Sequence, residues 1–286
     1  MVLHDVLETI QRQPLIGYGS NWKPASEPTC YAALLLSAAG EYASAALGGE
    51  WLAECQANDG SVGVRREEPE PRWPTGLAVL TWLTLQEHAG HRRYAAPIER
   101  GLRWILQAKG KTQPRNPQTG HDPTLAAWPW AEGTHSWVEP TAMQVLALRR
   151  ARLSDSERCR TGIAVLQDRQ LESGGLNYGN TTVLGQELRP HVVPTALALL
   201  ALAGEPSLPR TTRSLDYLET ALTTQPAVMS RCLGLLALTA HGRTATDTQA
   251  WLSSAFAATV TRNDSAFKLA LIGHAALGES SPLVVR

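Results

Sequence analysis

The chain has 286 residues, of which 43% are hydrophobic and 18% charged, a balance that supports a large packed core and excludes a disordered polymer. With 26 basic and 26 acidic residues the formal net charge is +0, so attraction to nucleic acid by overall charge is excluded. The apolar runs, such as Val192–Ala203, are too short for a transmembrane segment. The first residues lack a basic stretch followed by an apolar one, so no signal peptide is expected and a cytoplasmic location is. Cys30, Cys55, Cys159 and Cys232 lie far apart without a Cys-x-x-Cys spacing and are expected as buried thiols, with no metal site and no cofactor.

In chain order, Val2–Gln13 is predicted as a short amphipathic helix stopped by Pro14, and a Gly-rich loop leads to a helix over Glu27–Ala39. Helices follow over Tyr42–Gln56, Trp73–His88 and Tyr94–Lys109. A long loop then carries Trp128, Trp130 and Trp137 into a helix that starts near Pro140. Ser154–Leu171, Val193–Ala203, Leu208–Thr224, Pro226–His241, Thr244–Thr261 and Asp264–Leu277 complete twelve helices in six pairs. Four of them open on the same step, Pro28-Thr29, Pro74-Thr75, Pro140-Thr141 and Pro194-Thr195. Proline suits the first helical turn, where its missing N–H costs nothing and its φ is already helical.

The first helix of a pair tends to carry a large ring, as Trp51, Trp104, Tyr217 and Trp251 do, whereas the second is small and apolar nearly all round. A helix apolar on every face is buried on every face. Alternation of the two kinds predicts two concentric layers in an all-α (α/α)6 barrel, a single domain over residues 1–286, with an open solenoid as the alternative. Connections from second to next first helix are short, for example Ala39–Glu41 and Gly90–Arg93, whereas those within the first four pairs are long. Function is therefore expected on the long loops, at the N-termini of the buried helices.

Two loops carry a repeat. Gln56-Ala-Asn-Asp59-Gly60-Ser61-Val-Gly63 resembles the Gln-x-x-Asp-Gly-Ser-x-Gly motif of squalene–hopene cyclases and protein prenyltransferase β-subunits, and Gln170–Gly179 is a degenerate copy. The resemblance, to the terpenoid cyclase and protein prenyltransferase superfamily, implies the same barrel and an isoprenoid-like substrate. The motif itself is expected to be structural: its glycines permit a tight turn, and Gln56 and Asp59 bond backbone groups at helix ends. The chemistry of that superfamily is not carried over with it. No Asp-x-Asp-Asp run is present, and Cys30 lacks the Asp of the zinc-binding Asp-x-Cys pair.

The candidate site follows from the loops. Trp22, Trp73, Trp128, Trp130, Trp137 and Tyr178 are expected to wall a cavity for an apolar, isoprenoid-like ligand, or else to plug the barrel end as core. Glu139, with Glu27 as the alternative, is the expected general acid, and His135 and His191 are further catalytic candidates. The plainer role for both glutamates is interaction with the positive end of a helix. His121, Arg65, Arg66, Arg72 and Arg189 lie on the same loops, whereas His274 and Cys232 are expected in the core. Two other functions remain open: a non-catalytic barrel that binds a protein or lipid partner, and a carbohydrate-active (α/α)6 enzyme, which requires two carboxylates.

Overall fold

The computed structural model describes residues 2–88, 92–116 and 118–285, so part of the expected Gly90–Arg93 connection lies outside the described residues. Among them are twelve α-helices: α1 (Val2–Arg12), α2 (Ser26–Ala38), α3 (Tyr42–Glu54), α4 (Thr75–Gln86), α5 (Ala95–Gln107), α6 (Val138–Arg150), α7 (Glu157–Asp168), α8 (Val192–Leu202), α9 (Pro209–Leu222), α10 (Val228–Ala240), α11 (Thr248–Thr261) and α12 (Ala266–Leu277). The only ladder among the described residues is a short hairpin, β1 (Thr182–Val183) against β2 (Gln186–Glu187), in register Thr182 to Glu187. No helix among the described residues is long and apolar enough to cross a membrane.

The chain divides into two compact units, Met1–Ile105 with Thr246–Val284, and Leu106–Ala245 with Val285–Arg286. In the first unit α2, α4 and α12 are buried along nearly their whole length, and α1, α3, α5 and α11 bury only one stripe. In the second unit α6, α8 and α10 are the buried helices, with α7 and α9 half-exposed. The alternation expected from composition is therefore present in each unit. Trp51, Trp104 and Trp251 are half-buried on the one-sided helices, each followed by a fully buried Leu or Ile.

The threonine of each Pro-Thr step has a specific task. Its buried hydroxyl reaches back to one residue of the loop that feeds its helix. Thr75 Oγ1 accepts from the Val62 amide at 2.9 Å and donates to the Arg72 carbonyl at 2.7 Å. Thr195 Oγ1 accepts from the Leu176 amide at 2.8 Å and donates to the His191 carbonyl at 2.6 Å. Thr29 meets Ile16, and Thr141 meets Trp128, with longer contacts of 3.2 to 3.4 Å.

The two copies of the loop motif use matching bonds. Gln56 bridges to Val62 and Gln170 to Leu176, the very residues the threonines hold. Gln56 Nε2 donates to the Pro97 carbonyl at 2.9 Å, and Arg100 Nη2 donates back to Gln56 Oε1 at 2.6 Å, so the end of α3 is tied to α5. Gln170 Nε2 meets Thr211 Oγ1 at 3.2 Å and ties α7 to α9 in the same way. Gly60 and Gly174 have φ of +93° and +95°, and a Cβ would lie 2.3 Å from the Arg100 carbonyl oxygen and 2.5 Å from that of Arg213. Only glycine fits there. The motif is structural, as expected.

His274 pins α12 to α2. Its Nε2 lies 2.8 Å from the Tyr31 carbonyl and its Nδ1 2.9 Å from Ser281 Oγ. A carbonyl only accepts, so Nε2 carries the proton and Nδ1 accepts from the serine. Burial holds this imidazole down to about 4, in keeping with a neutral core ring.

The threonine contacts grade by length, and stability is expected to follow. Thr75→Val and Thr195→Val each leave a buried loop amide without its acceptor, which costs roughly 1–3 kcal/mol. Thr29→Val and Thr141→Val, whose contacts are longer, are expected to cost less. Urea unfolding of the four variants checks the order; equal losses at all four would show that the hydroxyls contribute only packing.

Candidate functional site

Each unit presents its own group of chemically capable side chains. In the first unit the group is built on the loop between α1 and α2. Ser26 opens α2 by donating from its amide to the Val64 carbonyl at 2.8 Å and from its hydroxyl to the Gly63 carbonyl at 2.7 Å. This places Glu27 in the first turn of α2 at 6% exposure. The helix N-terminus favours an anion there by roughly 0.3–1 kcal/mol. Burial outweighs it: the carboxyl is pushed up to about 7, and a hydrogen bond from Tyr18 offsets only part of the rise. Burial, with the nearby glutamate second, pushes the half-buried Tyr18 phenol far above its ordinary range, so it stays protonated and donates.

Around this pair, Tyr18 meets Phe267 edge-on at 5.8 Å and Tyr31 meets the same ring at 5.4 Å. Trp22, on the same loop, is 63% exposed, and its ring lies so close to Gly19 that a Cβ there would be 2.9 Å away. Trp73 is buried, at 8% exposure. The thiol of Cys30 is pushed up by burial and is not a nucleophile at ordinary pH.

In the second unit the loops α5–α6 and α7–α8 lie side by side. The Val138 amide donates to the Tyr178 carbonyl at 2.8 Å, and a Cβ on Gly179 would sit 3.1 Å from the Trp137 ring. The His135 and Trp137 rings meet at a 30° tilt with centroids 4.4 Å apart, and the Tyr178 and His191 rings at a 34° tilt with centroids 4.9 Å apart. Four expected site residues, His135, Trp137, Tyr178 and His191, are thus brought together, with the buried Glu139 on the first turn of α6. Trp128 is 1% exposed and lies under the guanidinium of Arg158 at 4.2 Å, closed off from solvent. Trp130 is half-buried.

A cavity of about 280 Å³ opens between these same two loops. Lys111, His121, His135, Arg169, Asn180 and Thr182 are among its lining residues. Arg169, 4% exposed, pairs with Asp168 and donates from Nη1 and Nη2 to the Asp122 carbonyl at 3.4 and 3.3 Å. Partial burial, then the Arg169 charge, holds His121 down to about 4 and lowers His135 as well. Lys111, Arg169 and Tyr18 were missed in the sequence. Gly17-Tyr18-Gly19 and the Asp168-Arg169-Gln170 run at the motif's start are the local signals that mark two of them.

Comparison with known proteins bears on the fold. No family model and no curated protein matches the chain. Three solved glycosidase variants are similar to it at 12% identity, each over 99% of this chain and 96% of that one. One has a glutamate changed to alanine (TM-score 0.60), one another such change with glucose bound (0.61), and one a tyrosine changed to phenylalanine (0.62). A Salmonella alpha-2-macroglobulin reacted with methylamine matches at TM-score 0.51 and 14% identity, over 96% of this chain and 17% of that one.

The fold class is therefore the expected all-α helical toroid. The assignment to the terpenoid cyclase and protein prenyltransferase superfamily is overturned, and with it the isoprenoid-like ligand, because the structural neighbours are glycosidases. The physical reason lies in the loop motif: Gln56, Gly60, Gln170 and Gly174 tie helix to helix, so they report architecture and not chemistry.

Glu27 gives a direct test of its environment. Its proton is held more tightly folded than unfolded, so stability falls as pH rises from about 4.5 to about 7 and is level above. Glu27→Gln is expected to match the parent near pH 4.5 and to exceed it by about 3 kcal/mol near pH 8. Urea unfolding at the two pH values measures this; a difference independent of pH would show a carboxyl with an ordinary pKa.

Proposed function

We propose that this chain is a glycoside hydrolase whose general acid is Glu27. The observation that carries the reading is a buried carboxyl, 6% exposed, that burial pushes up to about 7, with the half-exposed Tyr18 phenol beside it. Cleavage of a glycosidic bond needs a proton delivered to the leaving oxygen at a pH where most carboxyls are ionised. Glu27 supplies the acid half of the two-carboxylate pair, and the Tyr18 phenol lies beside it on the loop that feeds α2. Trp22 offers an exposed apolar ring on the same loop, on which the C–H face of a sugar stacks. The whole-chain likeness to glycosidases, one of them with glucose bound, supports the substrate class.

The test is release of phenol from a panel of aryl glycosides. Hydrolysis is expected to fall as pH rises through about 7, where Glu27 loses its proton. Glu27→Gln removes the acid and keeps the shape, so kcat is expected to fall by roughly 10²–10⁴-fold with KM little changed. Trp22→Ala is expected to raise KM and leave kcat near its original value. Full activity in Glu27→Gln would remove Glu27 from the reaction.

A further inference from the structure

We propose that the cavity between the α5–α6 and α7–α8 loops of the second unit binds a small hydroxylated ligand that carries a carboxylate, such as a sugar acid. The charge pattern leads to this class. Lys111 and Arg169 both line the cavity, and no Asp or Glu is among its described lining residues. Arg169 has one carboxylate partner, Asp168, and its Nε has no hydrogen-bond partner among the described residues. Lys111 makes no ion pair among them, and its Nζ lies beside Gly133, where a Cβ would be 3.7 Å away. Asp122, the other acid nearby, is already engaged by Arg115, by Thr124 Oγ1 at 2.6 Å and by the Thr124 amide at 2.9 Å. A cavity with two cations, compensated by Asp168 and, from outside the lining, by the already engaged Asp122, favours an anion, and Arg with Lys suits an oxyanion.

The rest of the lining speaks to the remainder of the ligand. Asn180, Thr182 and His135 each offer a donor and an acceptor, and His121, whose Nδ1 lies 3.5 Å from Thr181 Oγ1, offers its other ring nitrogen; together they complement a row of hydroxyls. Thr182 is carried by β1, whose turn has positive φ at Leu184 and Gly185. That is the backbone of a tight two-residue hairpin, which fixes this wall. About 280 Å³ is at the lower edge of small-molecule sites, enough for one ring and its acid group and not for an extended chain.

The imidazoles make the site sensitive to pH. His121 and His135 face Arg169, Lys111, Asp168 and Asp122, and both are held below their ordinary value by partial burial first and by Arg169 next. A bound carboxylate opposes the Arg169 effect and raises both, so binding takes up protons as pH falls.

The inference does not depend on Glu27, because its test is binding alone. Calorimetric titration of the whole chain with D-glucuronate is compared with D-glucuronamide, which keeps the hydroxyls and loses the charge, and with sodium sulfate. Glucuronate is expected to bind at least about tenfold more tightly than the amide and more tightly than sulfate. Its affinity is expected to rise about threefold or more from pH 7.5 to 5.5, with proton uptake seen as a buffer-dependent heat. Lys111→Gln, at an exposed position, is expected to fold normally and to weaken glucuronate about tenfold while leaving the amide unchanged. In the parent protein, ring-proton NMR shifts of His121 and His135, assigned from single His→Gln variants, are expected to move with glucuronate and not with the amide. Equal binding of acid and amide, or no shift at either histidine, overturns the proposal. Sulfate binding as tight as glucuronate overturns the sugar-acid class and leaves a simple anion site.

Discussion

One hydroxyl on each of four buried helices organises the loops of this protein. Thr29, Thr75, Thr141 and Thr195 sit one residue after a proline, where the chain has just turned into a helix and its amides have no intrahelical acceptors. A threonine there both accepts and donates, so it satisfies a loop amide and a carbonyl from a buried position. The loop residues so held, Ile16, Val62, Trp128 and Leu176, are all buried. Their side chains enter the core and their backbones run past the helix start. Long loops that would otherwise be loose are thereby fixed at a point, and the groups placed near that point keep their geometry.

Both candidate sites depend on this arrangement. Glu27 comes two residues before Thr29, so the clamp to Ile16 sets the loop that brings Tyr18 over the carboxyl. In the second unit the Thr195 clamp on Leu176 places Tyr178 two residues on, against the loop of Trp137. The same local device therefore supports an acid in one unit and a polar cavity in the other. What differs is the side chains that the loops carry, which is how one architecture comes to host unlike chemistries.

Much of the fold was legible because it rests on periodic apolar content. The all-apolar run at Ala196–Ala203 is fully buried, and the ring-bearing helices are half-exposed, as their composition requires. The Pro-Thr steps marked helix starts correctly, although nothing in the sequence tells which loop amide a threonine will meet. The site was less legible. Trp128 reads as a cavity wall until its loop is seen held by Thr141 and its ring beneath Arg158. Tyr18 and Arg169 sit in short runs that mark them locally, but those runs do not reveal their burial or their distant partners, Phe267 and the Asp122 carbonyl. The family resemblance failed for a related reason. Glycine and glutamine at those spacings answer the geometry of consecutive helices, whatever the barrel binds.

The four buried cysteines have a practical consequence. All are free, and burial raises every thiol well above its ordinary range, so none is a ready nucleophile in the folded chain. Cys30 and Cys55 belong to the first unit, Cys159 and Cys232 to the second. Alkylation by a soluble reagent therefore waits for opening, and each pair of sulfurs is a native clock for the unit that contains it. The chain already carries the labels with which the breathing of its two halves can be timed separately.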